Sequence, residues 1–123
     1  MLVSSITEGD ERRAIDAIMT RLRSIVEETG AGLILVSHLR RVIGNKGHED
    51  GIQVNLSHLR GSQSIAQLSD TVIALERNQQ ATDPKEANTT KVRVLKSRYT
   101  GDTGLACSLK YNSNMKKLLQ ILL

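Results

Sequence analysis

KVRVLKSRYTGDTGLACSLKY, residues 91–111, contains two strand-forming runs separated by a short polar stretch. The runs 91–97 and 105–111 flank a stretch that holds two glycines, Gly101 and Gly104. Such runs on both sides of a glycine-containing turn predict an antiparallel β-hairpin. Because side chains alternate between the two faces of a strand, four residues of the second run are predicted to share one face. These residues are Leu105, Cys107, Leu109 and Tyr111.

A helix is predicted upstream of the hairpin, over residues 10–29. Its apolar residues recur at the spacing of a single helix face. Asp10 suits the N-cap position, and Gly30 suits the C-terminal stop. Four arginines of this segment are predicted to form a solvated face. They are Arg12, Arg13, Arg21 and Arg23.

Between the helix and the hairpin, apolar and polar segments alternate. Residues 32–37 form a continuous apolar run, which is typical of a strand covered on both faces in a parallel sheet. Residues 39–55 predict a long loop, residues 62–69 a short helix and residues 71–76 a further strand. The polar residues 77–90 are predicted to form an exposed loop.

The two ends of the chain are predicted to belong to the same domain. Residues 2–6 predict a short strand or the end of one, and a cut strand here suggests a sheet that continued upstream. Residues 115–123 predict a closing strand or a short helix. The order of elements favours an α/β fold in which parallel strands continue into an antiparallel hairpin. A length of 123 residues suits a single domain.

The composition limits the classes of function. Only 2% of the residues are aromatic, which disfavours a stacking platform for single-stranded nucleic acid. The net charge of +4 is compatible with a polyanionic partner but does not require one. The single cysteine, Cys107, excludes an internal disulfide and fits a reducing compartment. No run approaches the roughly 20 apolar residues that span a bilayer, and no signal peptide is evident, so we predict a cytoplasmic protein without membrane contact.

His38 is the first candidate site residue. It follows Ser37 at the carboxyl end of the predicted buried strand, where open α/β sheets bind ligands. A neutral imidazole at this place suits a hydrogen bond to a phosphate oxygen. A strand-end histidine bonded to a backbone carbonyl explains the residue equally well.

The loop after His38 carries the second group of candidates, Arg40, Arg41 and Lys46. Cations in a glycine-bearing loop suit contacts with backbone phosphates, although a solvated loop is the more common explanation. Residues 48–50 combine His, Glu and Asp, but three adjacent residues do not readily surround one ion. We therefore predict no metal site.

Two further groups of cations lie nearer the C-terminus. Arg60 and Gly61 precede a predicted helix start, which suits an anion-binding nest, or a plain helix start with Ser62 as N-cap. Lys96 and Arg98 lie two residues apart and are predicted to share one strand face. The planar guanidinium of Arg98 suits a phosphate, whereas a charged edge strand that resists aggregation is the alternative.

These segments together resemble the C-terminal part of the phage-type replicative hexameric DNA helicases. The family includes phage primase–helicases, mitochondrial Twinkle and the bacterial DnaB-like helicases. The resemblance covers roughly residues 2–112 and rests on five stretches: GDERRAIDAIMTRLR, LILVSHLRR, LRGSQSIAQLSDTVIALERNQQ, VRVLKSRYTGDTG and LKYN. It implies a partial RecA-like domain. The intact members of the family work as hexamers, with ATP between subunits and single-stranded DNA in the central channel.

The resemblance also implies roles for individual residues around ATP. His38 matches the γ-phosphate sensor, and Arg98 matches the arginine finger that reaches the ATP site of a neighbouring subunit. Lys96 matches a companion lysine that also approaches the phosphates. Arg77 and Tyr111 match positions near the nucleotide base.

A second set of roles concerns DNA. The resemblance implies that residues 39–51 form a DNA-binding loop with three backbone contacts, and that two residues belong to a second DNA-facing loop. The first three are Arg40, Arg41 and Lys46, and the last two are Arg60 and Gly61.

The 123 residues contain no G-x-x-x-x-G-K-[ST] phosphate loop. In the family this loop, the catalytic glutamate and the magnesium-binding aspartate precede the position equivalent to residue 2. We therefore expect a C-terminal fragment, residues 1–123, of an enzyme that uses ATP and Mg²⁺ when intact. Neither is expected to bind this chain tightly, and the chain alone is expected not to hydrolyse ATP. The expected partners are single-stranded DNA and other helicase subunits. A non-enzymatic module that binds single-stranded DNA or a helicase ring remains the alternative.

Overall fold

The computed structural model describes residues 8–39, 53–59 and 63–121. The described residues divide into two compact units. The helical unit contains residues 8–39, 59 and 63–69, and the sheet unit contains residues 53–58 and 70–121. The predicted strand end at residues 2–6 lies outside the described residues.

The main element of the helical unit is α1, Glu8–Thr29. Its apolar stripe includes Met19, which is buried. The helix ends as predicted at Gly30, whose φ of +70° suits glycine and whose amide donates to the Val26 carbonyl at 2.9 Å. The prediction of Asp10 as N-cap is wrong, because the helix begins two residues earlier at Glu8. Asp10 lies in the first turn, where a carboxylate is favoured by the helix dipole.

The predicted solvated face of α1 is confirmed for three of its arginines, which are exposed. Arg23 differs, because its side chain is only 27% exposed. Its Nε donates to Glu27 at 3.0 Å, and its Nη1 donates to the Leu68 carbonyl at 3.5 Å. Leu68 ends α2, Ser64–Leu68, so Arg23 ties the two helices together.

The prediction of a buried strand over residues 32–37 is wrong. These residues have no regular secondary structure, and Ile34 and Val36 are 94% and 88% exposed. A strand needs a paired neighbour, and no described segment pairs with these residues. The nearest paired residue is Leu39, which forms an isolated antiparallel bridge with Leu59.

The sheet unit is a four-stranded antiparallel sheet in the order β1-β2-β3-β4. The predicted strand at 71–76 and both strands of the hairpin are confirmed, and the tail forms a closing strand rather than a helix. The strands are β1 Thr71–Arg77, β2 Thr89–Ser97, β3 Gly104–Asn112 and β4 Lys117–Ile121. Helix and sheet are thus both present, as an α/β fold requires. Among the described strands every pair is antiparallel.

The sheet contains two bulges. One leaves Leu95 of β2 between the paired residues Val94 and Lys96, and the other, in β3, changes the faces predicted by simple alternation. Cys107 pairs with Val92 but Leu105 pairs with the next residue, Arg93, so Ala106 is left between them. Directly paired residues share a face of a sheet, and neighbours along a strand do not. The prediction that Leu105 shares a face with Cys107 is therefore wrong.

The predicted exposed loop 77–90 contains one helical turn, α3, Pro84–Ala87. Asp83 accepts a hydrogen bond from the Lys85 amide and caps this turn, while Pro84 supplies a suitable backbone angle at its start. Local sequence therefore accounts for the helical turn.

Candidate functional site

Arg98 lies directly after β2 and is held by Asp70, which lies directly before β1. The Arg98 amide donates to the Asp70 carbonyl at 2.8 Å, and Arg98 Nη1 donates to Asp70 Oδ1 at 2.7 Å. The side chains of the two residues remain 38% and 33% exposed. The guanidinium therefore has a defined place at the surface of the sheet unit.

The turn after Arg98 is closed by its own hydrogen bonds. The Gly101 amide donates to the Ser97 carbonyl at 2.8 Å, and the hydroxyls of Ser97 and Thr100 are 2.8 Å apart. Gly101 has a φ of +75°, which few other residues adopt without strain. Arg98 is thus carried by a tight turn rather than by a long flexible loop.

β2 lies between β1 and β3. Its register with β3 ends at the Val94–Gly104 pair, so Lys96 lies beyond that ladder and is paired on the β1 side. β2 ends at Ser97, so Arg98 is the first residue of the turn and lies just beyond the strand on which a shared face was predicted. Lys96 itself is half-buried and pairs with Val72, next to a bulge.

Arg77 and Tyr111 meet at Asn88. Arg77 Nε donates to the Ala87 carbonyl at 2.6 Å, and its Nη2 donates to Asn88 Oδ1 at 3.5 Å. The Tyr111 amide donates to the Asn88 carbonyl at 3.1 Å, and its side chain is 43% exposed. Both predicted residues therefore contact Asn88, Arg77 through its side chain and Tyr111 through its backbone amide.

The Arg77 cluster and Arg98 lie at opposite ends of the β1–β2 ladder. Arg77 pairs with Thr90, and Thr71 pairs with Ser97 beside Arg98. Six residue steps along a strand correspond to about 20 Å. Within the sheet unit the two groups therefore belong to separate surfaces.

His38 belongs to the helical unit and is exposed. It lines an open cleft of about 350 Å³ together with Ser37, Leu35, residues of α1 and Ile65. The walls are mainly apolar, and Glu11 is the other titratable side chain in the lining. The structure thus places His38 at an accessible position.

The predicted DNA contacts lie outside the described residues. They are Arg40, Arg41, Lys46, Arg60 and Gly61. The residues that precede the two predicted DNA-facing segments are described, and they are paired: Leu39 forms its antiparallel bridge with Leu59. Arg40 and Arg60 therefore each follow a member of one bridged pair.

Sequence analysis did not predict the buried ion pair between Glu76 of β1 and Arg93 of β2. Glu76 is only 4% exposed, and its carboxylate accepts bonds from Arg93 Nε at 2.8 Å, Arg93 Nη2 at 3.2 Å and the Val54 amide at 2.6 Å. Alternation along β1 places Glu76 on the same face as the buried Ala74, which was the available signal. A charged residue on a buried face requires a partner.

The electrostatics of this pair follow from those contacts. Burial by itself raises the pKa of Glu76, but the hydrogen bonds from Arg93 and Val54 and the nearby positive charges outweigh it, and the pKa is lowered overall. The hydrogen bond to Glu76 raises the pKa of Arg93. Both side chains therefore stay ionised at neutral pH.

Asp70 was also missed by the sequence interpretation. Aspartate is common immediately before a strand, so the residue type at this position did not indicate a functional role. Only the β1–β2 register, which ends with Thr71 opposite Ser97, brings it to Arg98.

Two other kinds of site are absent from residues 8–39, 53–59 and 63–121. Within them, no group of three or more His, Cys, Asp or Glu side chains is arranged to hold a metal ion. No helix there combines the length and the apolar character needed to cross a membrane.

Comparison with known proteins gives a consistent assignment. A profile of the "DnaB-like helicase C terminal domain" matches residues 1–120. The chain is also 47% identical over 112 residues to a "DNA helicase/primase" of Enterobacteria phage T3. That match covers 91% of this chain and 19% of the relative, so the chain spans about a fifth of the relative's length. The chain belongs to the DnaB-like helicase C-terminal domain family, whose fold is RecA-like.

Proposed function

We propose that this chain supplies the arginine finger and part of the DNA-binding surface of an ATP-dependent replicative DNA helicase. The observation that carries the proposal is the position of Arg98. It lies on a closed turn at the end of a central strand, is bonded to Asp70 and is still 38% exposed. Family membership and the similarity to a phage helicase/primase support the same assignment.

The chemistry of Arg98 fits a role opposite a nucleotide triphosphate. A guanidinium keeps its proton at all working pH values and matches phosphate oxygens with a planar set of donors. A finger stabilises charge that develops on the transferred phosphoryl group, and one supplied by another subunit accelerates the reaction by about three to five orders of magnitude. We assign Lys96 as the companion cation and His38 as the γ-phosphate sensor.

ATP is the nucleotide that this proposal requires. Arg77 and Tyr111, joined through Asn88, form the assigned base-side surface. The described residues offer no carboxylate cluster for Mg²⁺. We assign this chain the cationic side of an ATP site.

Single-stranded DNA is the proposed polymer partner. Leu39 and Leu59 precede the two proposed DNA-facing segments and form a β-bridge with each other. This bridge supports the proposal that the two segments start close together. Contacts from Arg40, Arg41 and Lys46, with Arg60 and Gly61, are assigned to backbone phosphates. Binding through such contacts weakens as the salt concentration rises.

A complementation experiment tests the finger assignment. The partner is a DnaB-like helicase subunit that keeps its own phosphate loop but has its finger arginine replaced by alanine. Adding the wild-type chain is expected to restore DNA-stimulated ATP hydrolysis. The chain alone is expected to show no turnover, because its 123 residues contain no phosphate-loop motif.

Arg98→Ala is expected to lower the restored rate by about 1,000-fold or more. Arg13→Ala is the matched control, because its side chain is 83% exposed on α1. Equal turnover with Arg98→Ala and wild-type chains would contradict the assignment. Saturable DNA binding by a wild-type chain that restores no turnover would instead support a non-enzymatic binding module.

A further inference from the structure

We propose that Asp70 is a positioning residue for Arg98. Its carboxylate holds the guanidinium in the orientation that meets a phosphate presented by a neighbouring subunit. This inference rests on the proposed function of Arg98 as the finger.

Two contacts between the same residues define the orientation. The backbone bond at 2.8 Å continues the β1–β2 ladder one step beyond the Thr71–Ser97 pair. The side-chain bond at 2.7 Å then fixes the direction of the guanidinium. The backbone contact places the arginine, and the carboxylate directs its head group.

The Arg98 side chain stays accessible to solvent while it is bonded to Asp70. A guanidinium has five N–H donors in one plane, and the bond to Asp70 is made by its Nη1 group. The Arg98 side chain remains 38% exposed. Ordering a long side chain in advance removes an entropy cost that would otherwise oppose the reaction.

The Asp70 pair contributes little to the stability of the strands. Exposed ion pairs are screened by solvent and contribute little to stability, and the buried pair of Glu76 and Arg93 already joins the same two strands. A role in orientation therefore explains Asp70 better than a role in folding.

A carboxylate beside the finger has two opposite effects on phosphate chemistry. Its negative charge disfavours an anion that approaches freely, whereas its hydrogen bond orients the arginine for an anion held in place. Removing Asp70 should therefore strengthen loose anion binding and weaken catalysis. A merely structural role would weaken both.

The experiment uses the full chain with Asp70→Ala and Asp70→Asn, and with Glu27→Gln as the matched control. Glu27 pairs with Arg23 at 3.0 Å on α1, so its loss removes another exposed carboxylate–arginine contact. Nuclear magnetic relaxation of the Arg98 Nε–H group reports the order of the side chain. Inorganic tripolyphosphate probes loose anion binding, and the complementation rate measures catalysis.

We expect Asp70→Ala to make the Arg98 side chain mobile. Tripolyphosphate affinity should rise about fivefold, the effect of one charge about 4 Å away in water. The restored kcat should fall about tenfold, because misplacing a catalytic group by 1 Å costs up to about 100-fold. The apparent affinity between the chain and its partner subunit should not change. Asp70→Asn, which keeps an acceptor oxygen, should lose less order and less rate, and Glu27→Gln should match wild type.

The outcomes separate this inference from the proposed function. An Arg98 side chain equally ordered in wild type and Asp70→Ala overturns the role of Asp70. Parallel losses in tripolyphosphate affinity and rate also overturn it. A wild-type chain that restores no turnover overturns the finger assignment, and the relaxation measurement alone then decides whether Asp70 orients Arg98.

Discussion

Two carboxylate–arginine pairs join the same two strands, β1 and β2, and they differ in almost every physical respect. Glu76 and Arg93 are mostly buried, with side chains that are 3% and 16% exposed, and Arg93 donates two hydrogen bonds. Asp70 and Arg98 lie beyond the strand ends, with side chains about one-third exposed. The Glu76 carboxylate also accepts a hydrogen bond from the Val54 amide, and this bond attaches the segment 53–58 to the sheet.

The difference shows how one kind of contact serves two purposes. A buried pair is costly to break, because removal of one partner leaves an uncompensated charge away from water. An exposed pair is screened and is worth little to stability, and its arginine remains accessible to a phosphate that approaches from solvent. The buried pair therefore serves the fold, and the exposed pair suits a surface that meets a ligand.

The largest expected effect comes from breaking the buried pair. Glu76→Ala should lower the free energy of unfolding by about 3 kcal/mol, because Arg93 loses its partner inside the sheet unit. Urea denaturation followed by circular dichroism measures the change. Asp70→Ala is the matched control, with an expected loss below about 1 kcal/mol. Equal losses in the two variants would remove the distinction between the pairs.

The pH dependence of the free energy of unfolding also distinguishes the two pairs. The hydrogen bonds and positive charge around Glu76 lower its pKa below its ordinary value of 4.5, against the opposing effect of burial. The folded state therefore binds fewer protons than the unfolded state in acid, so the stabilisation is present above pH 4.5 and is lost as the pH falls through the folded pKa.

Glu76→Gln provides the reference for this titration. The difference in unfolding free energy between wild type and Glu76→Gln should be greatest near neutrality and should shrink on acidification. Urea denaturation at a series of pH values measures it. A difference that grows in acid would mean that burial dominates the pKa of Glu76.

A smaller effect is expected at the turn that carries Arg98. Gly101→Ala should cost about 1 kcal/mol of stability, because its φ of +75° is unfavourable for alanine while the space around it is open. Gly32→Ala is the matched control, since it also has open space but no positive φ. Thermal or urea unfolding distinguishes the two, and an equal effect would show that the turn conformation does not limit residue 101.

The smallest effect concerns Arg98 itself. Arg98→Ala should change the free energy of unfolding by less than about 1 kcal/mol, because its ion pair is exposed. The same substitution should nearly abolish turnover in the complementation experiment. A loss of stability comparable to that of Glu76→Ala would assign Arg98 to the fold instead of the site.

Much of the local structure was predictable because it depends on neighbouring residues. The spacing of apolar residues predicted α1, and the glycine-containing turn predicted the β2–β3 hairpin. The run at 32–37 shows the limit of this reasoning. Its apolar character predicted burial, but burial depends on partner segments that a local pattern does not specify, and Ile34 and Val36 are exposed.

The candidate site was predictable only in part. Sequence resemblance singled out Arg98, Lys96, Arg77 and Tyr111, and their assigned roles stay predictions. The contacts between residues far apart in the chain were not predictable from spacing. Asp70 and Arg98 are separated by 28 positions, and Glu76 and Arg93 by 17.

The sequence by itself determined the family, the main helix, the hairpin and the identity of the candidate finger, because each depends on residue types at short and fixed spacing. Tertiary structure alone decided which carboxylate meets which arginine. Strand register and two bulges set those meetings, and burial then separated a pair that stabilises the sheet from a pair at its surface. The physical reason is that pairing and desolvation are properties of elements brought together, and no single stretch of the chain contains both partners.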